Sequence, residues 1–429
     1  MTRQRDRLTT FARAAMSRLM ASARRVLTTD PETQGPGDEA EAAEARELAR
    51  AGGELKGGMA KLAQLMGYQL GPGGVADADA RAALGELWDH APGVDRDAVR
   101  RVVSEDLGAP PEEVFAAWED EPFAAASLGQ VHRARTRDGI EVAVKVQYPG
   151  VAEALRSDLS SPRILRRLAG ADVGRTLSHG AAAVLRDAVL AELDYVAEAK
   201  WLERFRRALA GERDMVVPRL HGPLSSARVL TADYLTGTAL PVFDGDDETR
   251  AAVARLLFRF CWGAPLGHRL LNADPNPGNY LVLPEGRVGF LDFGCAVELD
   301  EELVAADRSL WRAVLRGDGE RLRYAVVEEG LLARARTLDS DTFRRWEAYI
   351  AAPFSRARFD WTAGYAKGLA GLTSQLVRAG GMSLPPGAFL LWRQRLGAAA
   401  VIGMLGADTT FREEMERLLA DSDVGPMMV

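Results

Sequence analysis

The segment Leu271–Gly294, which reads LNADPNPGNYLVLPEGRVGFLDFG, constrains the fold of this chain more than any other segment. Asp274 lies in A-D-P-N-P-G-N, where two prolines and a glycine predict an irregular loop. Asp292 follows the apolar run Val288–Leu291, which predicts a buried strand. Asn279 lies between the two acids. The segment therefore predicts a hairpin that carries two acids and one amide on its loops.

An acid and an amide on a loop, followed by an acid at a strand end, are typical of kinases, which hold an acceptor and metal-chelated phosphates in this way. In this interpretation Asp274 orients the acceptor, and Asn279 and Asp292 bind Mg²⁺. The pattern D-x-x-x-x-N alone is equally consistent with an ordinary polar loop, because short patterns recur by chance. The triplet D-F-G at Asp292–Gly294, one hairpin later, favours the kinase interpretation.

Composition limits the classes of protein to which the chain can belong. With 429 residues it can form two or more lobes with full-sized cores, and 47% hydrophobic residues are typical of a soluble globular protein. The net charge of −7 gives no basis for a nucleic acid partner. Only Cys261 and Cys295 are present, so we expect no disulfide framework and a cytoplasmic protein. The sequence does not predict an oligomeric state.

We expect any membrane contact to be peripheral. No segment has the length and apolar character of a membrane-spanning helix, and the nearest candidate, Ala388–Ala407, is interrupted by Arg393–Arg395. This candidate therefore predicts a buried core helix. Residues 1–27 predict a basic amphipathic helix, which is either solvated or lies on an anionic membrane surface.

Residues 121–236 predict a small lobe built on strands. Phe123–His132 and Ile140–Val146 flank the turn Asp138–Gly139, and the second run reads I-E-V-A-V-K-V. Lys145 in this V-A-V-K pattern would contact the α and β phosphates of a nucleotide. An ordinary hairpin with a surface lysine is the alternative.

Two further segments complete the predicted small lobe. His179–Leu209 predicts one uninterrupted helix, on which we interpret Glu198 as the partner of Lys145; a solvated charged face is the alternative. Arg228–Leu235 predicts the last strand, with Ala232 at the gatekeeper position. The hinge that contacts adenine would then consist of Asp233, Tyr234 and Leu235.

The rest of the chain predicts helices. Residues 237–429 predict an α-rich lobe around the Leu271–Gly294 hairpin, with helices near 247–262, 301–316, 340–351, 362–379 and 386–405. Residues 1–50 predict the basic helix and a polar linker, and residues 51–120 predict a helical extension that reaches about Trp118. Lys61 and Gln64 share one helical face in this extension, and their spacing alone favours an ordinary solvated helix surface. The expected fold class is α+β, a two-lobed kinase-like fold with an N-terminal helical extension.

The ordered motifs resemble those of the ABC1/UbiB/ADCK (AarF) family of atypical protein-kinase-like proteins. The resemblance covers roughly Gly53–Asp300. The motifs are K-L-A-Q at Lys61–Gln64, the alanine-rich loop at Ala124–His132, Lys145, E-L-D with the following glutamate at Glu192–Glu198, the loop at Asp274–Asn279 and D-F-G at Asp292–Gly294. Each motif is weak alone, and the ordered set is specific.

The resemblance implies a site for ATP or ADP with Mg²⁺. It implies that Asp274 and Lys145 are catalytic and that Asn279 and Asp292 are the Mg²⁺ ligands. The implied nucleotide contacts are Ala124, Ala125, Ala126, Ser127, Val131, Ala143, Lys145, Glu198, Asp233, Tyr234 and Leu235. The implied regulatory residues are Lys61, Gln64, Glu192 and Asp194, with the K-x-G-Q region covering the place where an ordinary protein kinase admits its peptide.

The resemblance also implies ATPase-like chemistry linked to lipids, often in isoprenoid quinone metabolism. A lipid or quinone precursor and a membrane surface are the implied partners. Three positions depart from the family pattern: Ala63 replaces the motif glycine, and Asn272 and Asn276 stand where histidines are frequent.

Two other functions are consistent with the residues. A small-molecule phosphotransferase of the aminoglycoside or choline kinase type shares D-x-x-x-x-N but lacks the alanine-rich loop and the helix of Lys61 and Gln64. A non-catalytic, nucleotide-gated scaffold or lipid-binding accessory protein would also contain a nucleotide site.

Overall fold

The protein is described here by a computed structural model, which defines residues 96–126, 128–153, 156, 187, 190–329, 331, 340–379 and 385–423. The chain divides into two compact units. The small unit comprises Met1–Leu165, Glu192–Val196 and His221–Tyr234. The large unit comprises Arg166–Ala191, Ala197–Leu220 and Leu235–Val429.

The described residues form helices and strands in the following order. The helices are α1 Arg96–Leu107, α2 Pro111–Val114, α3 Tyr195–Ala208, α4 Asp247–Phe258, α5 Ala264–His268, α6 Glu301–Arg316, α7 Gly319–Val327, α8 Ser340–Ala351, α9 Ala363–Ala379, α10 Pro386–Leu405 and α11 Arg412–Asp423. The strands are β1 Ala117–Trp118, β2 Ala124–Ala126, β3 Gly129–Arg135, β4 Glu141–Gln147, β5 Met215–Val216, β6 Val229–Asp233, β7 Thr238–Ala239, β8 Leu270–Asn272, β9 Tyr280–Val282, β10 Val288–Phe290, β11 Ala296–Glu298, β12 Phe359–Trp361 and β13 Ala407–Thr409.

The small unit contains an antiparallel sheet in the order β1-β3-β4-β6, with β2 also paired to β3. Strand β4 alternates as its sequence predicts, since Val142, Val144 and Val146 are fully buried. They pack in one core with Val99 and Val103 of α1. The predicted turn between β3 and β4 is confirmed at Gly139, whose φ of 89° suits a residue without a Cβ.

The large unit is mainly helical and contains a four-stranded sheet in the order β5-β10-β9-β7. The predicted hairpin is confirmed, because β9 and β10 pair antiparallel and all three residues of Val288–Phe290 are buried. The five helices predicted from the apolar periodicity are confirmed as α4, α6, α8, α9 and α10. A cluster of aromatic rings packs among these helices, at Phe258, Trp262, Trp311, Phe354, Trp361 and Phe411.

Helix α10 is the core helix that the sequence predicted. By length and composition its segment Gly387–Leu405 could cross a membrane, contrary to the expectation that no segment reaches that standard. However, 89% of that segment is buried inside the protein, as in the core helix of a globular unit. Among the described residues this is the one helix that meets the length and hydropathy standard.

Two predictions from helical periodicity are wrong. The segment His179–Leu209 is not one helix, because residues 192 and 193 form a turn and α3 begins at Tyr195. The carbonyl of Leu193 accepts a hydrogen bond from Nε2 of Gln147 at 2.8 Å instead of continuing a helix. The helical extension also ends before Trp118, which lies in β1 and pairs with Ala134.

Several predictions lie outside the described residues. These are the basic helix and linker of residues 1–50, the helix that carries Lys61 and Gln64, the departure at Ala63, and Ser127. The segment DRDAVRRVVSEDL is described, and its predicted helix is confirmed as α1.

Gly129 begins β3 at a point where the paired strand leaves no room for a side chain. A Cβ on Gly129 would lie far inside contact distance of the Val146 carbonyl, which is backbone and cannot move without disturbing β4. We expect Gly129→Ala to destabilise the protein by about 2 kcal/mol or more and to lower Tm by about 5 °C. Gly211→Ala is the matched control, because a Cβ there meets nothing within 4 Å. Equal Tm values for the two variants by calorimetry would contradict this reading of the β3–β4 contact.

Candidate active site

Two short antiparallel ladders position the loop of Asp274 in the large unit. Strand β8 pairs with β11, so that Asn272 lies opposite Ala296, while β9 pairs with β10. Asp274 follows β8 by two residues and Asp292 follows β10 by two residues. The β8–β11 pairing therefore brings the loop after β8 beside the segment that leads into β11.

The side chain of Asn272 joins these two segments. Its Nδ2 donates to the Asp292 carbonyl at 2.7 Å, and its Oδ1 accepts from the Asp274 N–H at 3.2 Å. Asn272 is 5% exposed, so these bonds are shielded from water. The sequence marked Asn272 only as a departure from the family pattern; the structure shows that its amide supplies both a donor and an acceptor.

Asn279 is held against Asp274. Its Nδ2 donates to Oδ2 of Asp274 at 3.1 Å, and its carbonyl accepts from the Leu291 N–H at 3.0 Å. Asn276 closes the turn before it, because its Oδ1 accepts from the Gly278 N–H at 3.0 Å. The three polar residues that the sequence placed on this hairpin are thus connected through one hydrogen-bond network.

The D-F-G segment is fixed at each residue. Oδ1 of Asp292 accepts from the Gly294 N–H at 2.9 Å, which sets the direction of the carboxylate. Phe293 is fully buried, and its ring centroid lies 4.8 Å from that of Phe205 on α3. The aromatic chain continues from Phe205 through Phe260 to Phe290 of β10.

Asp274 is buried, and a side chain of helix α10 lies close to it. Asp274 is 6% exposed, and its Oδ1 lies 3.8 Å from Nη2 of Arg393. Burial raises the pKa of the nearby Tyr280 hydroxyl, and the Cys261 thiol and the Asp274 carboxylate raise it further. Sequence reasoning noticed Arg393 only as an interruption of an apolar helix; a charged residue in a predicted core helix was the available signal.

Lys145 lies on β4 of the small unit, where its cross-strand neighbours are Val131 on β3 and Leu230 on β6. Its Nζ lies 5.0 Å from the ring centroid of Tyr195, a cation–π distance. Ala143, two residues earlier, is half-buried and has the same side-chain direction along the strand.

The alanine-rich segment forms strand β2 and folds back on β3. Ala124 pairs with Val131, and Ala126 pairs with Gly129. The segment therefore has extended backbone and ladder hydrogen bonds rather than the free backbone of a glycine loop. Leu128, which lies between the strands, is buried.

A buried histidine anchors the base of this hairpin. His132 has its Nδ1 2.8 Å from the Glu119 carbonyl and its Nε2 2.8 Å from Nε2 of Gln130, and its ring stacks on Trp118. Burial lowers the pKa of His132, which favours the neutral ring. The contacts of His132, the histidine of the alanine-rich motif, are therefore those of a buried residue that stabilises the fold.

The predicted hinge residues lie at the end of β6. Oδ1 of Asp233 is 2.7 Å from Nε2 of His221, and the Tyr234 N–H donates to the Glu141 carbonyl at 3.0 Å. The Tyr234 ring meets Phe123 edge-on, with centroids 5.4 Å apart. Leu235 is half-buried and is the first residue of that segment of the large unit.

The acids of the E-L-D motif have different environments. Glu192 is 8% exposed, Asp194 is exposed, and both precede α3. Glu198 is in the first turn of α3 and is 2% exposed. Its pairing with Lys145 stays a prediction.

The donor set on the hairpin fits Mg²⁺ rather than a tightly caged transition metal. Asp274, Asn279 and Asp292 offer carboxylate and amide oxygens, which are the ligands that Mg²⁺ takes beside substrate phosphates. In the described part of the chain no group of three or more His, Cys, Asp or Glu side chains could hold a metal alone. Mg²⁺ usually completes such a ligand set with water and phosphate oxygens.

Comparison with known proteins shows the family of the chain. Residues 86–326 match the family described as the ABC1 atypical kinase-like domain. The chain is 34% identical over 205 residues to Atypical kinase COQ8B, mitochondrial, of Danio rerio, which covers 47% of this chain and 33% of that protein. It is 30% identical over 281 residues to Atypical kinase COQ8, mitochondrial, of Schizosaccharomyces pombe, which covers 65% of this chain and 46% of that protein. The chain thus spans a third to a half of the length of these relatives.

A solved structure resembles the chain over most of its length. The Mycobacterium tuberculosis protein Rv3197, solved in complex with erythromycin, has a TM-score of 0.64 and 29% identity, and the match covers 89% of this chain and 97% of that one. With the family match, this confirms the predicted α+β kinase-like fold, with a small sheet lobe and a helical lobe. The family match, which covers more than half of the residues, shows that the chain belongs to the ABC1 family of atypical kinase-like proteins.

Proposed function

We propose that the protein binds Mg²⁺ with ATP or ADP and either hydrolyses ATP or transfers its γ-phosphoryl group. The observation that carries this proposal is the hydrogen-bond network that connects Asp274, Asn279 and Asp292 through Asn272. A buried acid, an amide and a second acid on adjoining loops are the groups that phosphoryl transfer requires. Membership of an atypical kinase-like family agrees with the same chemistry.

Each residue has a separate role in this proposal. Asp274 would orient the acceptor hydroxyl or water and take its proton. Asn279 and Asp292 would hold Mg²⁺, which when bound neutralises charge on the phosphates. Lys145 would bind the α and β phosphates as a point charge, with Glu198 as its partner.

The proposed nucleotide contacts lie in the small unit and at its end. Ala124–Ala126 would approach the phosphates, and Asp233–Leu235 would contact adenine through backbone groups. Val131 and Ala143 carry apolar side chains on adjoining strands and would line the base. The family match favours this function over an aminoglycoside or choline kinase-like phosphotransferase.

The metabolic role is proposed from the family resemblance. We propose that the reaction supports lipid or isoprenoid quinone metabolism, that a lipid or quinone precursor is a partner, and that contact with a membrane is peripheral. The relatives in Danio rerio and Schizosaccharomyces pombe are named as mitochondrial atypical kinases.

Replacement of Asp292 tests the metal assignment. We expect Asp292→Ala to lower Mg²⁺-dependent ATP hydrolysis about 100-fold or more, because the developing charge on the phosphoryl oxygens loses its metal. Steady-state release of phosphate measures this. Asp360→Ala, which removes an exposed acid from β12, is the control and should keep wild-type turnover. Retained turnover in Asp292→Ala would refute the assignment.

A glycine in the alanine-rich segment tests its proposed contact with phosphate. Ala125 lies in β2, and removal of its Cβ allows closer approach of the backbone to an anion. We expect Ala125→Gly to tighten nucleotide binding about fivefold, which corresponds to roughly 1 kcal/mol of binding free energy, or to raise autophosphorylation. Titration with labelled ATP and ADP measures the affinity. Ala117→Gly makes the same change in β1 and should alter neither quantity; unchanged affinity and autophosphorylation in Ala125→Gly would count against the contact.

Turnover with lipids tests the proposed lipid link. We expect anionic liposomes or a phenol that resembles a quinone precursor to raise steady-state ATP hydrolysis. A ligand that binds the active conformation more tightly than the inactive one increases the population of the active conformation. Zwitterionic liposomes are the control for non-specific adsorption. Identical turnover with and without every lipid would argue against the lipid link and would leave the nucleotide chemistry intact.

A further inference from the structure

Helix α10 carries one charged side chain toward Asp274. Arg393 is 8% exposed, in a helix that is otherwise largely apolar. Its Nη2 lies 3.8 Å from Oδ1 of Asp274, which is an ion pair but is too long for a hydrogen bond. Its Nε and Nη1 are buried and have no hydrogen-bond partner among the described residues. Most of its donors are therefore left over beside the candidate catalytic acid.

Unused buried donors of this kind call for a ligand. Leaving a charged group buried without acceptors costs more than leaving a neutral one, and native proteins keep such groups mainly where water, an ion or a ligand completes them. Arg395 shows the contrast within the same helix. It donates from Nη1 to the Cys261 carbonyl and, at 2.8 Å, from Nη2 to Oδ2 of Asp307, so only its Nε lacks a partner among the described residues.

The backbone of α10 lies directly on the loop. Gly397 follows Arg393 by one helical turn and therefore shares its face. A Cβ on Gly397 would fall far inside contact distance of the Pro275 ring, next to Asp274 in the chain. The loop A-D-P-N-P-G-N contains no lysine or arginine, and α10 supplies a cation beside the acid.

We propose that Arg393 binds the oxygens of a phosphoryl group held beside Asp274. This inference rests on the proposed function, because it names an anion-binding residue of the same site. A guanidinium offers several N–H donors in a fixed fork, which matches two oxygens of a phosphate. The ligand is a phosphate oxyanion, supplied either as the γ-phosphoryl group of ATP or as free phosphate. Without that anion, the carboxylate of Asp274 is the counter-charge of the guanidinium.

Kinetics separate this role from a structural one. We expect Arg393→Met to lower kcat for Mg²⁺–ATP about 100-fold while KM for ATP changes by less than about threefold, because donors to the transferred group act mainly in the transition state. Arg393→Lys keeps the charge but loses the fork, so we expect a loss of about tenfold. Arg344→Met removes an exposed arginine of α8 and is the matched control. Thermal unfolding of each full-length variant shows whether it is folded.

Binding measurements distinguish the sources of the anion and keep the test independent of turnover. ADP with Mg²⁺ is titrated first, then orthovanadate in its presence, and inorganic phosphate is titrated both with and without ADP. We expect Arg393→Met to weaken vanadate binding about tenfold and to leave ADP binding unchanged. Phosphate that binds only when ADP is present indicates that the site takes the transferred phosphoryl group. Phosphate that also binds without ADP indicates that the site takes free phosphate as well. In both cases Arg393→Met must weaken the binding of phosphate.

Two results would overturn the role of Arg393. One is an equal loss of ADP and vanadate affinity in Arg393→Met and Arg393→Lys, which would show a structural effect. The other is wild-type kcat and anion affinity in both variants. A wild-type protein that does not turn over ATP would refute the proposed function instead, and the vanadate and phosphate titrations would still decide the question for Arg393.

Discussion

The carboxamide of Asn272 holds together the two segments on which the candidate chemistry depends. It donates to the main chain at Asp292 and accepts from the main chain at Asp274, across the point where β8 pairs with β11. Loop residues have no regular ladder to satisfy their backbone groups, so each buried group needs another partner, which here is a side-chain amide. Asn279 supplies the next link, by donating to the Asp274 carboxylate. Asparagine amides therefore help to position both acids.

Helix α10 provides the second constraint, because it brings polar side chains into an apolar core next to this loop. The Cys261 carbonyl lies in the π-helical segment Arg259–Gly263 and accepts from both Gln394 and Arg395. A π-helical turn departs from the regular i→i+4 pattern and offers such carbonyls to other partners. These bonds fix α10 in rotation, and that rotation directs Arg393 toward Asp274 and Gly397 toward the loop.

Sequence periodicity predicted the helices and strands whose buried residues recur at regular intervals along the chain. Strand β4 and helix α6 each bury one regular face, whereas α10 is apolar and buried nearly all round, and these patterns were sufficient. The single helix predicted over His179–Leu209 was wrong because a distant residue, Gln147, binds the Leu193 carbonyl and no local pattern reports it. Likewise, the motifs identified Asp274 and Asp292, whereas the contact with Arg393 arises only from the packing of α10. The catalytic and metal-binding roles stay predictions.

The central claim is that the hairpin of Asp274 and Asp292 holds a divalent metal together with nucleotide phosphates. Electron paramagnetic resonance of Mn²⁺, which replaces Mg²⁺ at oxygen ligands, measures this directly. Titration of the protein with Mn²⁺ should show weak binding alone and strong binding once ADP is added, since the protein supplies only part of the ligand set. Mn²⁺ binding that ADP does not change, or no binding in its presence, would contradict the account.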